Sequence, residues 1–189
     1  QTRNADKSRS FNITGITLGL AKRLSVPDDY FTLSQAISYQ RYDLKNYNTG
    51  LFTFGDGFSN NLSYTFGLTR NNTSVDPIFP TGGSNFGVTA KFSLPYSLFN
   101  GVDYEQLSID YDDALEKRSN ATSAADRDYI EANEDITRID QERYKWLEFY
   151  KVKFSGEWYT QVAKNLVLRP KIEFGFLGAY NNDRGVIPF

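Results

Sequence analysis

Apolar and polar residues alternate with a period of two over most of the chain, in six segments between Phe11 and Tyr180. In the segment from Phe58 to Arg70 the even positions read Phe58, Asn60, Leu62, Tyr64, Phe66 and Leu68, against Ser59, Asn61, Ser63, Thr65, Gly67 and Thr69. Phe86, Val88, Ala90 and Phe92 oppose Gly87, Thr89 and Lys91, and Tyr150, Val152, Phe154 and Trp158 oppose Lys151, Lys153, Ser155 and Glu157. From Leu166 to Tyr180 the apolar set is Leu166, Leu168, Ile172, Phe174 and Phe176, against Arg169, Lys171, Glu173 and Gly175. Such alternation predicts strands with one apolar and one polar face. The two N-terminal segments, Phe11 to Leu24 and Tyr30 to Tyr42, follow the same rule less cleanly, with Gln35 interrupting the second stripe.

Two architectures share this pattern. A soluble sandwich turns the apolar face inward, whereas an outer-membrane barrel turns it toward lipid and lines its interior with polar residues. Three features favour the barrel. The segments run about 10–14 residues, where strands of soluble folds cluster near 5–6. Their polar faces are rich in Gly, Ser, Thr and Lys, as a wetted lumen requires. Aromatic residues close the apolar stripes: Trp146 and Trp158 are twelve residues apart on the even face. At about 3.3 Å per residue and a ~40° tilt, that is roughly 30 Å of height, suited to girdles flanking a hydrocarbon band. The predicted fold is therefore all-β, a transmembrane antiparallel β-barrel.

The connections alternate in length. Short turns fall at 24–29, 71–84 and 160–165, and longer ones at 43–57 and 95–145. Outer-membrane barrels place short turns in the periplasm and long loops outside. The loop at 95–145 is a separate composition zone. Between Asn100 and Tyr144 thirteen Asp/Glu face five Lys/Arg, a net −8; the total of −2 leaves +6 for the rest. Within it Ser123 is a candidate helix cap, with Asp126 in the first turn. Ala125, Tyr129, Ala132, Ile136 and Ile139 recur at helical spacing, predicting one amphipathic helix of four or five turns over the barrel mouth. Asp110, Asp112 and Asp113 are candidate calcium ligands without the spacing of a calcium loop.

Composition narrows the chemistry. The 189 residues contain no Cys, His or Met. That excludes disulfides, Cys/His zinc sites, thiol nucleophiles and histidine bases. No phosphate-binding glycine loop or GxSxG elbow is present, so no enzyme activity and no cofactor are expected. The remaining titratable candidates are the lumen-facing charges Lys91, Lys151, Lys153, Glu157, Arg169, Lys171 and Glu173. They are expected to form a mixed-sign network between neighbouring strands. Six strands fall short of the eight that the smallest single-chain barrels use. With no Met in the chain, the segment is expected to be the middle of a larger barrel.

One motif carries a family resemblance. Asp76-Pro77-Ile78-Phe79-Pro80-Thr81-Gly82-Gly83, followed by alternating Asn85 to Phe92, resembles the Phe-Pro-Thr-x-Gly turn of the BamA-like outer-membrane assembly factors. Pro80 fixes φ and Gly82 and Gly83 allow positive φ in a tight return, with Phe79 at the rim. The segments around the turn look like strands four to nine of that sixteen-stranded barrel, and Gly185 to Phe189 resembles the lead-in to the next. The family's periplasmic POTRA repeats, gate strands and lumenal Val-Arg-Gly-Phe/Tyr loop have no counterpart here, so the resemblance places no functional residues. It implies an integral outer-membrane protein, in contact with lipid and lipopolysaccharide, that folds and inserts nascent β-barrel clients. It also implies accessory lipoproteins, with residues 100–144 as an expected surface dock, and no nucleic acid. A related polypeptide-translocating barrel and a porin or solute channel are the alternatives.

Overall fold

The computed structural model describes residues 9–47, 54–73 and 79–184. Within them one antiparallel sheet contains every strand. β1 (Ser10–Arg23), β2 (Phe31–Lys45), β3 (Gly57–Asn71), β4 (Gly82–Ser93) and β5 (Tyr150–Ala163) pair in sequence order. The last predicted strand is split in two: β6 (Leu166–Leu168) and β7 (Lys171–Gly178) both pair with β5. Pro170 has no N–H to give to the ladder, so the strand breaks there, while its carbonyl still accepts from Trp158 N–H at 3.1 Å. The sheet therefore has seven strands instead of six, and Tyr180 lies beyond the last. β2, β4 and β5 also run past the predicted limits.

Register puts every apolar stripe on one side. Leu18 is opposite Ile37, Ile37 opposite Tyr64, and Tyr64 opposite Phe92. Phe92 is opposite Tyr150, and two rows along Phe154 is opposite Phe174. This face is bare: Leu18 is 72% exposed, Ile37 57% and Phe176 63%, while Ser59 and Asn61 on the other face are fully buried. A soluble sandwich would bury the first set. All described strands belong to one sheet, so no second sheet among the described residues covers the apolar face. The sheet is open, ending at β1 and at β6 and β7.

The long loop holds two helices where the pattern predicts one. α1 (Tyr104–Asn120) and α2 (Arg127–Tyr144) pack as a hairpin. Asp103 caps α1 by accepting from Gln106 N–H (3.1 Å), and Asp126, not Ser123, caps α2 through Asp128 N–H (3.3 Å). Ala132, Ile136 and Ile139 are buried as their spacing requires, but Ala125 precedes the helix and is exposed. Lys117 pairs with Glu131 across the hairpin at 3.0 Å. The buried apolar cluster lies below the hairpin, away from the sheet's apolar face. Tyr42, Leu44, Phe54, Tyr144, Leu147 and Phe149 form it, with Phe11 packed alongside. Asp76 to Ile78, Gly50 and Gly185 to Phe189 lie outside the described residues.

Candidate functional site

The charged residues of the polar face separate into two bands. Toward the short-turn end, Arg169 meets Glu157 at 2.5 Å, Lys171 meets Glu173 at 2.9 Å, and Asn85 donates to Glu157 at 3.3 Å. Glu157 and Lys171 are direct register partners. Here the expected mixed-sign network exists. Toward the long-loop end the face is purely basic. Lys91 on β4 stands directly opposite Lys151 on β5, and Lys153 lies two residues further on the same face, opposite Thr89. Lys91 sits over the Phe149 ring at 5.6 Å. Among the described residues none of these three lysines has an ion pair. Like charges directly opposite across an antiparallel pair are destabilising. Lys153 lines a cavity of about 490 Å³ that lies across β3, β4, β5 and β7, with Thr69, Gly87, Thr89, Ser155, Glu173 and Gly175 among the other lining residues.

At the long-loop end the helical cap is joined to the wall in two ways. β4 pairs with β3 only from Ser63 onward, and Leu94 N–H adds one bond to Leu62 O (2.9 Å), so the 57–61 edge of β3 is left without a β4 partner. The cap fills it. Gln141 accepts from Phe58 N–H (2.9 Å) and donates to Phe58 O (2.7 Å), and Ser59 Oγ donates to Tyr144 O. Asn60 N–H donates to Lys145 O (2.9 Å), and Leu147 N–H donates to Asn60 O (2.8 Å).

The second join is a buried ion pair. Glu148 and Arg184 meet at 2.9 Å with side chains 1% and 8% exposed. Glu148 also accepts from Ser97 N–H and, at 2.8 Å, from Ser97 Oγ. Arg184 donates to the carbonyls of Arg143 and Trp146 and lies over the Tyr104 ring at 5.0 Å. Burial in this cap pushes the phenols of Tyr104 and Tyr144 above their ordinary value.

The remaining sequence candidates fall as follows. Trp158 is on β5, but Trp146 is not, because β5 begins only at Tyr150. Trp146 lies on the lead-in beside Asn60 of β3, stacked on Tyr96 at 5.0 Å and 6.4 Å from Tyr39. Trp158 is opposite Ser84 near the other end of the sheet. In the turn motif Phe79 is 75% exposed, and Gly83 alone uses positive φ (94°). A Cβ on Gly83 would sit 2.2 Å from Asn72 O, whereas one on Gly82 would meet nothing within 4 Å. The expectation that both glycines serve the return is thus corrected to Gly83. Asp110, Asp112 and Asp113 lie on α1, where successive positions point around the helix. Among the described residues no group of three acidic side chains is placed to hold a metal. The Glu148–Arg184 pair was not foreseen, since the two are 36 positions apart and neither sits in a motif.

A continuous sheet with an exposed apolar face and a polar, charged opposite face is the wall of a transmembrane β-barrel. Neither helix is long and apolar enough to cross a membrane, so any crossing falls to the strands. The chain matches the Omp85 superfamily domain over residues 1–189 and belongs to that superfamily of outer-membrane β-barrels, which includes protein-insertion and translocation barrels. No curated protein sequence matches it.

Proposed function

We propose that the chain is the central wall of a BamA-type assembly factor, whose barrel folds other β-barrel proteins and inserts them into the outer membrane. The observation that carries this reading is the Phe79-Pro80-Thr81-Gly82-Gly83 turn leading into β4, on a wall of the Omp85 superfamily. The work is strand pairing. An unpaired backbone group in lipid costs several kcal/mol, so an incoming strand lowers its free energy by adding to an open barrel edge. Such a reaction needs no cofactor and no covalent step. Strands β1 to β7 supply the wall beside that edge, and the acidic cap faces the exterior.

Depletion of the full-length protein is expected to lower the folded fraction of many outer-membrane barrels, read as heat-modifiable gel mobility. In proteoliposomes it is expected to accelerate folding of a separately added, unfolded barrel. Loss of one secreted passenger with barrel levels intact would instead mark a translocator. Steady conductance with a size cut-off and no effect on folding would mark a solute channel. The cap is the proposed dock for a surface accessory lipoprotein. Changing the exposed Asp110, Asp112, Asp113 and Glu116 to their amides is expected to release that lipoprotein on purification. Unchanged co-purification would count against the dock.

A further inference from the structure

Among the described residues the three lysines of the basic band form no ion pair, and their geometry specifies a counter-charge. Lys151 and Lys153 are two positions apart on one strand face, so their attachment points are about 6.6 Å apart, and Lys91 faces Lys151 from β4. Side chains two positions apart on an extended polypeptide have the same spacing. The trough that Lys153 lines lies across β3, β4, β5 and β7, so a segment running along β5 over Lys151 and Lys153 enters it at Lys153. Gly87 and Gly175 put no side chain into it, and Thr69, Thr89 and Ser155 offer hydroxyls along its length. Its volume, about 490 Å³, holds several residues rather than a single ion. Glu173 lines the far part, where it meets Lys171 at 2.9 Å, so acidic side chains are disfavoured there.

We infer that this part of the polar face binds an extended polypeptide segment bearing acidic side chains at alternate positions, held by Lys91, Lys151 and Lys153. The inference rests on the barrel-wall reading, which places this face inside the pore, and it deepens the polypeptide-handling role proposed above. Two carboxylates bind three ammonium groups, relieving the repulsion between Lys91 and Lys151. Neutral side chains leave that repulsion in place.

The test uses the full-length protein in nanodiscs and a fluorescent ten-residue peptide with glutamate at alternate positions. Its partner peptide has glutamine at each of those positions. Fluorescence anisotropy at low salt is expected to show the glutamate peptide binding at least about tenfold more tightly. The K91Q/K151Q/K153Q variant is expected to lose about the same factor. The K91R/K151R/K153R variant is expected to keep it, and K171Q, which removes an already paired lysine, to leave binding within about twofold. Heat-modifiable mobility reports that each variant is folded. Equal binding of the two peptides, or no loss in the triple glutamine variant, would overturn the inference. So would inorganic phosphate displacing the peptide at concentrations equal to the peptide's own dissociation constant, which would mark a small-anion site. Barrel insertion into liposomes is scored separately. A protein that binds the peptide and inserts nothing refutes the assembly role and leaves the acidic-segment site standing.

Discussion

Replacing Arg184 by Gln should release the helical cap from the wall. The guanidinium sits at a junction of four parts of the chain. It pairs with Glu148 at 2.9 Å, donates to the carbonyls of Arg143 and Trp146, and covers the Tyr104 ring. Glu148 is 1% exposed, so losing its partner leaves a buried carboxylate held only by Ser97. Breaking a buried pair in this way costs about 3–5 kcal/mol. If that cost falls on cap opening, the open population rises roughly 10²- to 4 × 10³-fold. Hydrogen exchange of the full-length protein reads this directly. Protection in Tyr104–Asn120 and Arg127–Tyr144 should fall by that factor, while residues 17–22 of β1, paired with 33–38 of β2 toward the short-turn end, serve as the internal reference. The E148Q/R184Q double variant removes both charges and should recover part of the loss, because the larger part of the penalty is the orphaned ion. Cap protection unchanged within about twofold in R184Q, or a double variant equal to the sum of the singles, would refute the clamp.

Other expectations concern the wall. Ile37→Arg puts a cation in the middle of the apolar face and should lower barrel stability by about 2–4 kcal/mol in denaturant titrations in lipid. Ser38→Arg, one position along and facing the other way, should cost much less. Gly83→Ala forces a side chain onto φ 94° and against Asn72 O, and should destabilise by at least about 1 kcal/mol, seen as a lower heat-modification midpoint. At the β1–β2 turn, the hydrogen bond from Arg70 holds the Asp28 carboxyl below its ordinary 3.8. A depressed acid stabilises the fold above its ordinary value and loses that contribution as pH falls through the lower, folded-state value. Asp28→Asn should therefore flatten the acid limb of a stability–pH curve below about pH 4, lowering stability slightly at neutral pH and leaving it unchanged at the acid extreme.

Legibility in the sequence followed the range of the forces involved. The strand period was readable because each apolar residue reports only on its own face. Leu62, Tyr64, Phe66 and Leu68 name the outer face of β3 without reference to any partner. Ala132, Ile136 and Ile139 did the same for α2. α1 carries a stripe of its own, Tyr104, Leu107, Tyr111 and Ala114 at helical spacing, but it is interrupted by charge and blurred by Ile109 and Leu115 off the stripe, and only Tyr104 and Ala114 are buried on it. The spacing of the polar-face charges puts them on one face of each strand, yet their division into a paired band and a purely basic one depends on register between β4, β5 and β7. Glu148–Arg184 was invisible for the same reason, being a contact made by tertiary closure. Trp146 shows a subtler limit. Its parity with Trp158 was sound, but parity does not reveal that the chain has already left β5 and crossed to the edge of β3.

That crossing explains why the cap and the wall are one structure. Beyond Leu62, whose carbonyl still accepts from Leu94 N–H at 2.9 Å just past the end of β4, β3 continues for five more residues that β4 does not reach. An unpaired strand edge near the membrane surface invites pairing with a foreign strand. Here the donors and acceptors of Phe58 to Asn60 are taken by Gln141, Tyr144, Lys145 and Leu147, all from the end of the same long loop. The pairing works because the lead-in to β5 runs parallel to β3, so the loop can return to the sheet one strand early without reversing direction. A loop that seals an edge must itself be held in place, and the neighbouring Glu148–Arg184 pair does this from the β7 side. The acidic surface of α1 takes no part in that seal and is left to the dock proposed above, whereas the stretch from Gln141 to Phe149 completes the hydrogen bonding of the wall.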